Sequence, residues 1–421
     1  MDISPFTISV SQDVLTDLKT RLGMARIPIN VDLPSEDEWE YGTPTGRVKE
    51  LVDYWKTTFN WRKMETTINV TLPQFTTLID AGPLHGELKI HFVHRRSSNP
   101  TAVPLLFVHG WPGNFLEVSK IIDPLVNPTD SKDHSFHIVA PSLPGYVFSQ
   151  GSRHPGLGLR TTADMFDKLM KKLGYSRYIA QGGDWGAMII KAMALRHPDS
   201  CCGTHTNIVM AAPSFRRDPI KLIRGALSLL GLPGGYSREE ADGLKDATRK
   251  QTPFDDSMGY MRIQSTKPQT LAYGLTDSPV GLLAWIYEKL HGWSDDYQWT
   301  PDEVLTWVML YWISDSGPVG SLRYYKESQL AKADGEFIEV ISSVCEVPIG
   351  VSAFPKELYK FPATWAGTAQ PLKYYKPHSV GGHFAAYEQP NLLVEDIRRF
   401  TEIVISENDR VFGGSDRLER R

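Results

Sequence analysis

Cysteine is scarce: three residues, Cys201, Cys202 and Cys345, in a chain of 421. So few cannot staple a protein of this length, and a disulfide framework is excluded. Cys201 and Cys202 are adjacent, which is not metal-ligand spacing, and they read as a vicinal pair of buried thiols. An excess of basic charge is also missing, since 45 Lys and Arg face 49 Asp and Glu. A nucleic-acid surface needs a basic stripe to displace counterions, and a net charge of -4 argues against one. Long hydrophobic runs are absent too. The most apolar stretch, Val304 to Ile313, is about half of the ~20 residues a membrane span requires. The opening Met1-Asp2-Ile3-Ser4-Pro5 has no basic region followed by an apolar run, as a secretory signal would. The expectation is a soluble, cytoplasmic protein with no integral membrane anchor.

What is present is ordinary globular material, 41% hydrophobic and 22% charged, enough for a sizeable core. Val10, Val14, Leu15, Leu18 and Leu22 recur at helical spacing, with Ser11 placed as a cap. Val48, Leu51, Val52, Trp55 and Phe59 predict a second helix over Arg47 to Phe59. Strand-like runs follow at Phe75–Ile79 and Leu88–Val93, then at Val103–Val108, His137–Ala140 and Tyr178–Gln181. The Val103–Val108 run is continuously apolar, as a strand buried on both faces should be. Strand, turn and helix in alternation predict an α/β fold with a mostly parallel sheet. From about Pro213 helical stretches rich in Trp, Leu and Tyr take over. Strand signals resume at Pro348–Ala353 and Leu372–Tyr375, before a last helix over Asn391 to Ile405. The expected organisation is an N-terminal wrapping extension over 1–95, core over 96–212, a helical cap over 213–340 and core again over 341–421.

The most specific chemical signal is Gly182-Gly183-Asp184-Trp185-Gly186, the form of a nucleophile elbow with aspartate where ester hydrolases carry serine. The chemistry explains the exchange. A serine alkylated at saturated carbon forms an ether that water does not readily cleave, whereas an alkylated carboxylate is an ester with a carbonyl to attack. A carboxylate also needs no base to be nucleophilic, its reference pKa being about 3.9. Asp184 therefore points to attack on sp3 carbon, in epoxides or alkyl halides. In such an elbow the Trp185 amide faces the nucleophile. His109-Gly110-Trp111-Pro112-Gly113, directly after the strand ending at Val108, supplies a second oxyanion-hole amide at Trp111. His383, in Gly381-Gly382-His383-Phe384 behind the last strand, stands where this topology keeps its base. Glu357, after the Pro348–Ala353 strand, occupies the slot for the acid, with Asp315 ranked second. No G-x-S-x-G, zinc-binding H-E-x-x-H or phosphate loop is found, and no cofactor or metal is called for.

Together these motifs resemble the microsomal-type epoxide hydrolases, including the soluble fungal members of that branch, over nearly the whole chain. Two further segments carry the resemblance, Gly259-Tyr260-Met261-Arg262 and Leu322-Arg323-Tyr324-Tyr325-Lys326-Glu327. The resemblance implies an α/β-hydrolase core with a cap, and a tyrosine from each segment hydrogen-bonded to the epoxide oxygen. Matched motif to motif these are Tyr260 and Tyr325, with Tyr324 the neighbouring alternative, and Glu357 becomes the charge-relay acid. The N-terminal anchor of the membrane-bound members is missing, and the chain ends in Glu419-Arg420-Arg421, not a peroxisomal Ser-Lys-Leu.

The expected activity is hydrolysis of a small apolar epoxide by water, with a homodimer as the one assembly left open. Detoxification and a tailoring step in secondary metabolism are equally open roles. The rivals are a haloalkane dehalogenase, an epoxide-opening cyclisation in natural-product synthesis, and a non-catalytic α/β-hydrolase-like binding protein. Trp285, Trp293, Trp299, Trp307 and Trp312 in the cap suggest an apolar pocket, with many of them ordinary core.

Overall fold

Ser11 begins the first helix: its hydroxyl accepts from the Val14 amide at 3.3 Å, and α1 (Gln12–Gly23) buries Leu18 and Leu22. These coordinates are a computed structural model, which describes residues 3–211, 213–252, 255–330, 332 and 334–407. The second amphipathic stretch forms α2 (Thr45–Thr57), which turns Val48, Leu51, Val52 and Trp55 inward. A third helix, α3 (Trp61–Thr71), was not expected from periodicity; Asn60 caps it and Trp61 and Ile68 are buried.

Among the described residues one nine-stranded sheet organises the chain. Its strands are β1 (Ser4–Phe6), β2 (Gln74–Asp80), β3 (Glu87–Arg95), β4 (Val103–Val108), β5 (Phe136–Pro141), β6 (Tyr178–Gly182), β7 (Cys201–Thr206), β8 (Ile349–Ala353) and β9 (Leu372–Pro377). Their order is β1-β2-β3-β5-β4-β6-β7-β8-β9. The first three pair antiparallel, and β3 meets β5 antiparallel, so the N-terminal segment extends the sheet as well as wrapping it. From β5 to β9 all pairs are parallel. Central β6 is buried along its whole length, as its apolar run requires of a strand covered on both faces. β7 escaped the sequence reading because Thr204, His205 and Thr206 look polar. It also corrects the reading of the thiols: strand alternation buries Cys201 and leaves Cys202 half-buried.

The core helices are α4 (Ile122–Val126) against β5, α5 (Leu159–Lys172), and α6 (Trp185–Arg196) against β4, β6 and β7. Residues between β7 and β8 form the cap: α7 (Pro219–Leu229), α8 (Arg238–Lys250), α9 (Gly259–Thr266), α10 (Pro268–Asp277), α11 (Pro279–Gly292), α12 (Pro301–Trp312), α13 (Gly317–Glu327) and α14 (Glu336–Ser342). Capping boxes start α8 and α12, where Ser237 and Glu240, then Thr300 and Glu303, satisfy each other's free amides. Short α15 (Ala363–Ala366) and α16 (Ala385–Glu388) lead to α17 (Pro390–Glu407), which packs on β7, β8 and β9. No helix among the described residues is long and apolar enough to cross a membrane.

Candidate active site

In a parallel sheet the loops beyond the carboxyl ends of the strands share one edge, and ligands settle where neighbouring connections diverge. β4 and β6 are neighbours, so the loops carrying Trp111 and Asp184 meet directly. The turn after β6 is tight. Asp184 has φ 48° and ψ -127°, a backbone state that L-residues seldom adopt, and it lies at the head of α6. Gly186 is required by contact: a β-carbon there would stand 1.9 Å from the Val108 carbonyl oxygen. Gly110 is required by the carboxylate itself, whose Oδ1 would lie 2.2 Å from an added β-carbon.

The Trp111 amide donates to Asp184 Oδ1 at 2.8 Å, and the Trp185 amide donates to the same carboxylate. Burial pushes the Asp184 pKa up, while nearby His383 and the two amides pull against it. His383 presents Nε2 to Asp184 Oδ2 at 3.6 Å and Nδ1 to Glu357 Oε1 at 2.6 Å. Burial opposes a charge on His383, but paired Glu357 and then Asp184 outweigh it and raise its pKa to about 9. Glu357 is fixed in turn, accepting from the Leu358 amide at 2.7 Å and from Asn207 Nδ2 at 2.7 Å. The loops that carry Glu357 and His383 are tied by the Lys356 amide, which donates to the Gly381 carbonyl at 3.1 Å. The cap reaches the same loop, where Asp295 accepts from the Gly381 amide at 2.7 Å.

Tyr260 on α9 and Tyr325 on α13 hang from the cap over this group. Both are buried, their rings lie 6.1 Å apart edge to face, and Trp111 stacks on Tyr260 at 5.3 Å. Burial, reinforced by Asp184, pushes both phenols well above their usual pKa, so both keep their protons. Tyr324 points elsewhere: its hydroxyl donates to Thr162 at 2.9 Å. Asp315 is exposed and lines, with Tyr324, a separate cavity of about 400 Å³. The structure thus gathers Asp184, His383, Glu357, Tyr260, Tyr325, Trp111 and Trp185, and leaves out Asp315 and Tyr324.

A cavity of about 490 Å³ opens from Asp184, Tyr260 and Tyr325. The pocket expectation drawn from the cap tryptophans needs correction. Trp285, Trp293, Trp299, Trp307 and Trp312 do not line this cavity; its walls include Met188, Ile208, Leu330, Phe337, Ile341 and Phe361. Trp307 serves the site differently. Its Nε1 donates to the Pro112 carbonyl, and the Tyr311 hydroxyl donates to the Gly113 carbonyl, each at 2.6 Å. These bonds from α12 clamp the loop whose Trp111 amide holds Asp184.

Two residues escaped the sequence reading. Asn207, just past β7, was hidden with its polar strand. Glu117 lies against Gly113, where a β-carbon would come within 1.7 Å of its Oε1, and burial beside Asp184 raises its pKa to about 8. A lone carboxylate within Phe115-Leu116-Glu117-Val118 was the signal that could have marked it.

Comparison with known proteins agrees with this architecture. Residues 3–118 match the family described as the epoxide hydrolase N terminus, and residues 103–219 match the alpha/beta hydrolase fold. The chain is 36% identical to epoxide hydrolase 1 of Sus scrofa over 418 residues, covering 94% of this chain and 88% of that protein. Among solved structures it resembles the juvenile hormone epoxide hydrolase of Bombyx mori (TM-score 0.85, 32% identity, 97% of this chain and 96% of that one). It also resembles the Aspergillus niger epoxide hydrolase (TM-score 0.79, 31% identity, 96% and 97%).

Proposed function

The chain belongs to the epoxide hydrolases, and from that premise we propose that it converts an apolar epoxide to a vicinal diol through an ester on Asp184. The arrangement of the Asp184 carboxylate is the observation that carries this reading: Oδ1 is held by the Trp111 amide, while Oδ2, the oxygen assigned here to attack a ring carbon, faces His383 Nε2 at 3.6 Å. Tyr260 and Tyr325 donate to the epoxide oxygen as the ring opens, since a bare alkoxide is too basic to leave well. The product is an ester between Asp184 and the new alcohol. His383, oriented by Glu357, then takes a proton from a water that attacks the ester carbonyl, and the Trp111 and Trp185 amides stabilise the oxyanion. Collapse frees the diol and restores the carboxylate.

Within this scheme Glu117 stays protonated at neutral pH, because its pKa near 8 spares the site a further negative charge beside Asp184 and Glu357. The cavity walls favour a neutral, lipophilic substrate, since among the described residues no charged side chain other than Asp184 lines them.

One turnover in 18O-water with enzyme in excess tests the reading over aryl and alkyl epoxides. Unlabelled diol is expected, because its inserted oxygen comes from Asp184. Labelled diol would mean direct attack by water and would demote Asp184 to a base. The dehalogenase reading predicts halide release from simple haloalkanes, which this assignment does not.

A further inference from the structure

Helix α7, at the start of the cap, is turned inside out. An ordinary surface helix buries its apolar stripe and shows its polar face to water. Here Ser228 and Gly225 face inward, Ser228 at 5% exposure, with Gly225 against Leu244 and Trp365. Ile220, Ile223 and Leu230 share the opposite face and are 72%, 58% and 71% exposed. Phe215 just before the helix, at 83%, and Leu232 just after it add to the same apolar surface.

The segment that carries this face is basic in sequence. From Phe215 to Leu232 the chain carries Arg216, Arg217, Lys221 and Arg224 against a single acid, Asp218; Lys221 pairs with that acid at 2.9 Å, which leaves the three arginines as the collar. That balance contrasts with the net charge of -4 for the whole protein. Arg224 lies over the ring of Tyr236 and donates to the Gly235 carbonyl, so its stem runs along the helix flank.

The face also stands beside the active-site cavity. Arg217 donates to the carbonyl of Ser342 at 3.3 Å, and Ser342 lines that cavity together with Ile338, itself 39% exposed. Trp365, under Gly225, is another of its walls.

We propose that this apolar face with its basic collar docks the protein on an anionic lipid surface. Ile220, Ile223 and Leu230 would enter the headgroup boundary while the arginines meet lipid phosphate and carboxylate. The docked orientation brings the cavity to the lipid, so a lipophilic epoxide passes from bilayer to Asp184 without crossing water. Charge complementarity selects this occupant over a second copy of the chain, whose identical basic collar would have to face its own kind across a symmetric interface.

The test is sedimentation of the full chain with vesicles of phosphatidylcholine, alone or mixed with phosphatidylserine. Binding to the mixed vesicles, weakened by salt, is expected. The Ile220→Ser/Ile223→Ser/Leu230→Ser variant should bind at least about tenfold more weakly while turning over a water-soluble epoxide at the normal rate. The Arg216→Glu/Arg217→Glu variant should lose the preference for phosphatidylserine. Wild-type protein that ignores both vesicles overturns the proposal, as does a triple variant that binds like wild type. A wild-type dimer that the triple variant splits, without vesicle binding, assigns the face to a second copy instead. Because the readout is binding, failure here leaves the ester mechanism standing, and the reverse holds too.

Discussion

His383 Nε2 stands 3.6 Å from Asp184 Oδ2 while the Trp111 amide holds Oδ1 at 2.8 Å. The two carboxylate oxygens therefore face different chemistry. One is held by the amide of the loop after β4, and the other faces the imidazole. A separation longer than a hydrogen bond suits a base that works on water rather than on the nucleophile itself.

Removing the base should expose the intermediate. His383→Gln is expected to become alkylated and stay so, with an intact mass increased by that of the substrate. Asp184→Ala should show no adduct and lose activity by at least about a thousandfold. An unmodified His383→Gln protein after incubation with substrate contradicts the two-step scheme.

The pH dependence of the second step follows from the neighbours of His383. Burial lowers its pKa, but Glu357 and Asp184 together raise it to about 9 in the free enzyme. Esterification neutralises Asp184, so the imidazole should lose its proton more readily in the intermediate. Single-turnover ester hydrolysis should rise with pH through a midpoint below about 9. Glu357→Gln should move that midpoint lower still and slow hydrolysis on the order of a hundredfold. A midpoint unmoved by Glu357→Gln would remove that residue from the relay.

The tyrosines separate cleanly. Tyr260→Phe and Tyr325→Phe should each slow alkylation by about ten- to a hundredfold, and the double variant by more. Tyr324→Phe should leave alkylation unchanged and cost about 1 kcal/mol of stability through its lost bond to Thr162. Stopped-flow alkylation rates and denaturant melts on all four variants decide the matter.

Glu117 should make stability depend on pH. Its folded pKa near 8 lies above its ordinary value of 4.5, so the folded state holds a proton that the unfolded state releases. Its contribution to stability is full below about pH 4.5 and declines as pH rises to about 8. Glu117→Gln should remove that decline, so its Tm should gain on wild type between pH 5 and pH 8.5, by calorimetry. An equal Tm difference at both values would show that the carboxyl is ionised in the folded protein.

Local pattern made much of the fold legible. The continuous apolar runs at Val103–Val108 and Tyr178–Gln181 became the buried strands β4 and β6, with bounds that agree or differ by one residue. Strand β7 was not legible, because Thr204, His205 and Thr206 find partners only across the sheet and along the adjoining loops. His205 Nε2 meets the Ser352 hydroxyl at 3.2 Å, a contact between residues 147 positions apart.

The sequence by itself determined the kind of chemistry. An aspartate between elbow glycines, a His-Gly-Trp-Pro loop and a late Gly-Gly-His are local facts, since tight turns and close backbone approaches restrict which residues fit. Tertiary structure alone decided which carboxylate meets His383 and which of two adjacent tyrosines faces the cavity. It also decided which apolar residues form the cavity walls and that α7 turns its isoleucines outward. Those outcomes depend on where segments distant in sequence pack, and a helix's periodicity names its faces without saying which one the rest of the protein will cover.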